Sequence, residues 1–128
     1  MKTRLFKLGI AIMVAFSTNA YTQDLFVDPS GNDALSYSSN TKSAPWQTIE
    51  KCMIEAKSGD TCQIRSGTYV INGENYINST YHSDNVKVRG YLDEMPVIDL
   101  DNVNAFVHID GVHYWTFSHM KFIKALAQ

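Results

Sequence analysis

Glycine and proline supply only ten of the 128 residues, and 45% of the chain is hydrophobic, which excludes a disordered or collagen-like sequence. A chain of this size and composition is expected to fold as one domain. Positive charge is scarce as well: eleven Lys and Arg face thirteen Asp and Glu, a formal net charge of -2, so nucleic acid is not expected as a partner. No apolar run approaches the roughly 20 residues of a membrane-crossing helix. The longest, residues 8–16, has nine. There are two cysteines, Cys52 and Cys62, with no close CxxC spacing and only distant histidines, so a zinc site is the weaker reading of the pair.

Residues 1–20 read as a secretory signal peptide. Lys2, Arg4 and Lys7 precede the apolar run, and Ser17, Thr18, Asn19 and Ala20 close it, with cleavage expected after Ala20. Removing this segment leaves eight basic residues against thirteen acidic ones, so the exported chain, residues 21–128, is mildly acidic and is expected to be secreted or periplasmic, with no membrane span. An oxidising compartment lets a disulfide persist. Cys52 and Cys62 lie ten residues apart with Ser58, Gly59 and Asp60 between them, a turn able to return one sulfur to the other. A bridged sulfur is no free nucleophile, so a catalytic thiol is not expected.

Leu25, Phe26 and Val27 form a short apolar strand ended by the turn-forming run Asp28, Pro29, Ser30, Gly31, Asn32, Asp33. After a polar loop, Pro45 suits a first helical position. Trp46, Ile49, Met53 and Ala56 then recur at spacings of three and four, which predicts one amphipathic helix over 45–57, with Gly59 as the left-handed residue ending it. Beyond Gly59 the period becomes alternating. Strands are predicted over 61–65, 85–89 and 106–110, each followed by glycine, with further apolar segments at Val97 and Ile98 and at Tyr114 to Phe117. Aligning Arg65, Arg89 and Asp110 gives intervals of 24 and 21 residues, a solenoid signature with more than one strand per turn. In that alignment Ile64, Val86, Val88, Val107 and Ile109 point inward. Gln63, Lys87 and His108 make one outward column and Arg65, Arg89 and Asp110 another, with neighbouring coils about 4.8 Å apart.

These segments resemble the secreted right-handed parallel β-helix proteins of the pectate-lyase-like superfamily. The resemblance rests on LFVDPSGNDA at 25–34, APWQTIEKCMIEAKSGDTCQIRSGTY at 44–69, MPVIDLD at 95–101 and VHIDGVHYWTFSHMKF at 107–122. It implies an all-β parallel β-helix whose single helix caps the amino-terminal end of the first coil, and a bridge between Cys52 and Cys62. It also implies a polysaccharide partner, acidic by preference. Members of the superfamily stack many coils, whereas residues 21–128 hold a cap and two to three, so the chain is expected to be the front of a longer protein and inactive alone. The family's catalytic Lys, Arg or Asp, and any calcium, belong to later coils, and no catalytic residue, metal ligand or cofactor is assigned to this chain. A stack of so few coils is expected to need its open end covered, which leaves self-association as an expectation.

Arg65, Lys87 and Arg89 share an outward face and are the candidate substrate-binding residues, because fixed guanidinium and ammonium groups suit the carboxylates of uronic sugars. The competing reading is a solvated edge in which Arg89 pairs with Asp110. His108, His113 and His119 are spaced by five and six residues, which fits no HExxH site. Asp99 and Asp101 are expected in a turn rather than as an acid and base pair. Tyr114, Trp115 and Phe117 read as packing groups before they read as a sugar platform. Asn78, Ser79 and Thr80 match an N-glycosylation pattern. Three functional classes follow: the front of a polysaccharide lyase, part of a non-catalytic β-helix adhesin or glycan-binding module, and a small disulfide-bonded domain that self-associates.

Overall fold

The computed structural model describes residues 21–73, 75–101, 103 and 105–125. The proposed signal segment, residues 1–20, lies outside them. Among the described residues nine strands and one α-helix follow one another as β1 (Asp24–Val27), α1 (Ile49–Glu55), β2 (Thr61–Ile64), β3 (Thr68–Val70), β4 (Asn75–Asn78), β5 (Lys87–Gly90), β6 (Val97–Asp99), β7 (Val107–Asp110), β8 (Thr116–Ser118) and β9 (Lys121–Ile123). They pair only in parallel, in sheets ordered β1-β2-β5-β8, β3-β6-β9 and β4-β7. Each sheet collects one strand from every turn of the chain, so the fold is a parallel β-helix: β2 to β4 form one coil, β5 to β7 the next, and β8 and β9 begin a third.

Apolar ladders fill the coil. Leu25, Cys62, Val88 and Phe117 are stacked in register, as are Val27 with Ile64 and Tyr69 with Ile98 and Phe122. Most of these side chains are fully buried, but at the end far from the helix Phe122 and Ile109 remain 45% and 49% exposed. The other end is closed. Trp46, Ile49, Cys52 and Met53 cover the first coil with almost no exposed surface. Trp46 is itself extended, exchanging backbone hydrogen bonds with Phe26 and Asp28 beside β1. The Asn40 amide meets the Phe26 N–H at 2.7 Å and the Phe26 carbonyl at 2.9 Å. The edge of β1 is thus occupied by the chain's own groups and offers no template to another strand.

The helix is shorter than its periodicity predicts, beginning at Ile49 rather than Pro45. Asp33 accepts hydrogen bonds from the N–H groups of Gln47 and Thr48 and from the Thr48 hydroxyl, and Thr48 caps the helix by accepting from Lys51 N–H. Those bonds hold Gln47 and Thr48 outside the helix. Gly59 does adopt a positive φ of 92°, in the turn beyond the helix end at Glu55. Cys52 and Cys62 are joined, tying α1 to β2.

The strand alignment differs from the predicted one. Gln63 pairs with Arg89 and Thr61 with Lys87, so Arg89 lies two residues away from the predicted partner Arg65. The strand at Val107–Asp110 belongs to the two-stranded sheet beside β4, and the continuation of β5 is β8. Asp110 is therefore in line with Asn78 and has no pairing with Arg89, while His108 is in line with Tyr76 rather than Lys87. Of the two β7 residues expected inside, Val107 packs partly buried against the core, whereas Ile109 is 49% exposed. A shift of two residues keeps a strand's faces unchanged, which is why Ile64 and Val88 are nonetheless inward and buried.

Candidate functional site

The four-stranded sheet turns one side to the core and the other to solvent. Alternation along β5 buries Val88 and sends Lys87 and Arg89 outward. Register sets Lys87 beside Thr61 and Thr116, and Arg89 between Gln63 and Ser118. Among the described residues neither cation has a carboxylate at ion-pair distance, and the Arg89 Nε reaches only the Gly90 carbonyl at 3.5 Å. Arg89 lines one wall of an open cleft of about 510 Å³ together with Leu92, Asp93, Glu94, Met95 and His119.

Arg65, the third predicted member, is engaged differently. Its Nε donates to both carboxylate oxygens of Glu94, at 3.0 and 3.1 Å, and Glu94 also accepts from the Ser66 N–H. Burial pushes the Glu94 carboxyl up, but Ser66 and Arg65 together outweigh it and hold the group below its ordinary range. The Arg65 guanidinium lies 5.3 Å from the centre of the Tyr91 ring, the Lys42 ammonium lies 4.9 Å from the same ring, and Phe26 meets it edge-on at 5.6 Å. Lys42, Tyr91 and Glu94 were not legible as site residues, because their convergence depends on which coil lies beside which. The structure thus brings Lys87 and Arg89 onto one free face and gives Arg65 to a packed cluster at its border.

The remaining candidates disperse. His108 stacks on Tyr76, His113 accompanies Asp84, and His119 borders the Arg89 cleft. Among the described residues no three His, Cys, Asp or Glu side chains converge to hold a metal ion. Asp99 is buried at the end of β6, accepts from Lys124 Nζ at 2.6 Å and from the Asp101 N–H at 3.0 Å, and so organises the turn expected there. Asn102 and Asn104 of that turn lie outside the described residues. Trp115 donates its indole N–H to the Ser83 carbonyl and stacks on Phe117, whereas Tyr114 is 81% exposed. Asn78 ends β4, its side-chain oxygen accepting from the Thr80 N–H. No helix among the described residues is long and apolar enough to cross a membrane.

No family model matches the chain, and no solved structure matches it. Among curated proteins the chain is 29% identical over 131 aligned residues to the pectate lyase PEL9 of Emericella nidulans, a similarity that covers 90% of this chain and 31% of that enzyme, so the chain spans less than a third of the relative's length.

Proposed function

We propose that this chain forms the cap and first coils of a secreted parallel β-helix protein of the pectate-lyase-like superfamily. Its role is to hold extracellular acidic polysaccharide along the outward face of the four-stranded sheet. The observation that carries this reading is the pair Lys87 and Arg89, two outward cations of β5 that have no carboxylate at ion-pair distance among the described residues. Similarity to a pectate lyase over most of the chain supports the polysaccharide, and the Cys52 to Cys62 bridge fits an oxidising compartment. Arg89 offers a planar two-point donor for a uronate carboxylate and Lys87 a mobile point charge beside it. Binding is the role assigned to these coils, and bond cleavage is assigned to coils beyond them.

The test compares binding of the chain to polygalacturonate and to its fully methyl-esterified form, which has the same backbone without the charge. The acidic polymer should bind and the ester should not, and affinity should fall as salt is raised. Equal affinity for the two polymers, or none for either, would overturn the reading. The chain alone should release no unsaturated uronide from polygalacturonate, and release of it would contradict the division of roles.

A further inference from the structure

A second cavity lies on a different side of the molecule, where the cap helix meets the first strand of the two-stranded sheet. Glu50, Met53 and Ile54 of α1 line it from one side and Asn75, Tyr76 and Ile77 of β4 from the other, with His82 at its rim. Its volume is about 170 Å³, several times the ~30 Å³ share of a water molecule and suited to a single small ring. Tyr76 is 64% exposed and Ile54 56% exposed, so apolar surface stands open at the mouth. The imidazole of His108 in β7 stacks on the Tyr76 ring at 4.9 Å, with only 11° between the planes. Tyr76 thus lines the cavity opposite α1 while β4 pairs with β7.

We infer that this cavity is a binding site for one neutral sugar residue, separate from the cationic face of the four-stranded sheet. The ring of Tyr76, held flat by His108, supplies a platform for the C–H face of a pyranose or furanose. Met53 and Ile54 continue that apolar surface. Glu50, which already accepts a hydrogen bond from the Asn75 side chain, has lone pairs left for ligand hydroxyl groups, the Asn75 amide oxygen is a further acceptor, and the His82 imidazole, whose Nδ1 meets Asn78, offers its other nitrogen at the rim. This alternation of a flat apolar floor and a few convergent polar groups is how a small polar ligand is oriented. Among the described lining residues Glu50 is the acid and there is no Lys or Arg, so a uronate carboxylate is disfavoured and an uncharged sugar is selected. Burial raises the Glu50 carboxyl above its ordinary range, against hydrogen bonds from its own backbone and from Asn75. A glycan with acidic and neutral residues would thereby engage two faces of the same coils.

The test is saturation-transfer NMR on the full chain, exported to an oxidising compartment, with galactose, arabinose, rhamnose, xylose and galacturonate each offered alone. At least one neutral sugar should receive saturation. Tyr76→Ala should weaken its binding by about five- to tenfold, and Tyr76→Phe, which keeps the ring, should restore it. Tyr76→Phe, which keeps the stack on His108, should leave the melting temperature unchanged. Lys87→Ala/Arg89→Ala should leave neutral-sugar binding intact, which separates this site from the proposed acidic-glycan face. Absence of transfer to every neutral sugar, retention of binding in Tyr76→Ala, or loss in the Lys87/Arg89 variant would overturn the inference.

Discussion

Arg65 and Glu94 are joined across a coil boundary, one guanidinium N–H shared between two carboxylate oxygens at 3.0 and 3.1 Å. The pair is about three-quarters covered and also fixes the Ser66 N–H, so it outlasts the usual weakness of surface ion pairs. Glu94→Gln should cost about 1–2 kcal/mol at neutral pH. The folded state depresses this carboxyl, so its contribution is complete above the unfolded value of about 4.3 and is lost as the pH falls through the folded value. Thermal melts from pH 7 to pH 3 should show the gap between wild type and Glu94→Gln closing below about pH 4.

Asp60 is fully buried, and its carboxylate accepts from Gln23 N–H at 2.8 Å, Lys57 N–H at 2.8 Å and Tyr37 hydroxyl at 2.7 Å. It joins the entry to β1, the turn after α1 and the polar loop before it. Asp60→Ala orphans these donors and should destabilise by about 3 kcal/mol in a denaturant titration.

The same contact predicts alkaline behaviour. Burial, reinforced by the bond to Asp60, pushes the Tyr37 hydroxyl up to about 12. The folded value exceeds the unfolded value of about 10, so this contribution is present below pH 10 and is lost between about pH 10 and 12. Tyr37→Phe should flatten the decline in melting temperature over that window.

Gly90 ends β5 where the chain turns against the next coil. A Cβ there would overlap the carbonyl oxygens of His119 and Glu94, both backbone atoms that have no room to give. Gly90→Ala should therefore destabilise by about 3 kcal/mol or more, whereas Gly73→Ala, which meets open space, should change the melt little.

Reducing the Cys52 to Cys62 bridge should lower stability by about 2–3 kcal/mol, the loop-entropy value for a closed loop of this size. A melt unchanged by reductant would show that α1 is held by packing alone.

A coiled repeat, an amphipathic helix and a cysteine pair able to close were legible because each leaves a local mark: alternating apolar strands between recurring turns, a 3.6-residue stripe from Ile49 to Met53, and two cysteines flanking a turn; the parallel β-helix and the capping role of the helix came with the family resemblance. The register was not. Gly67, Gly90 and Gly111 look equivalent after their strands, yet Gly90 lies inside β5 and Gly111 follows a strand of another sheet. Alternation identifies which side chains of a strand point inward without saying to which of three sheets it belongs. Coil lengths vary too, from the step between Val97 and Lys121 to the longer one between Asn75 and Val107, so no fixed repeat aligns them. The candidate site inherited that ambiguity: Lys87 and Arg89 share a face on any register, whereas Arg65 depended on the alignment and was drawn to Glu94. Trp46 was misread because its apolar side chain fits the helical stripe while its backbone pairs with β1.

The most direct test of the acidic-glycan face is a backbone amide NMR titration of the chain with a short oligogalacturonate. Shift changes should concentrate on β5 and its neighbours at Gln63 and Ser118, and Lys87→Ala/Arg89→Ala should reduce affinity by about tenfold or more without changing the melt. No saturable shifts on that face, or a double variant that binds as well as wild type, would contradict the account.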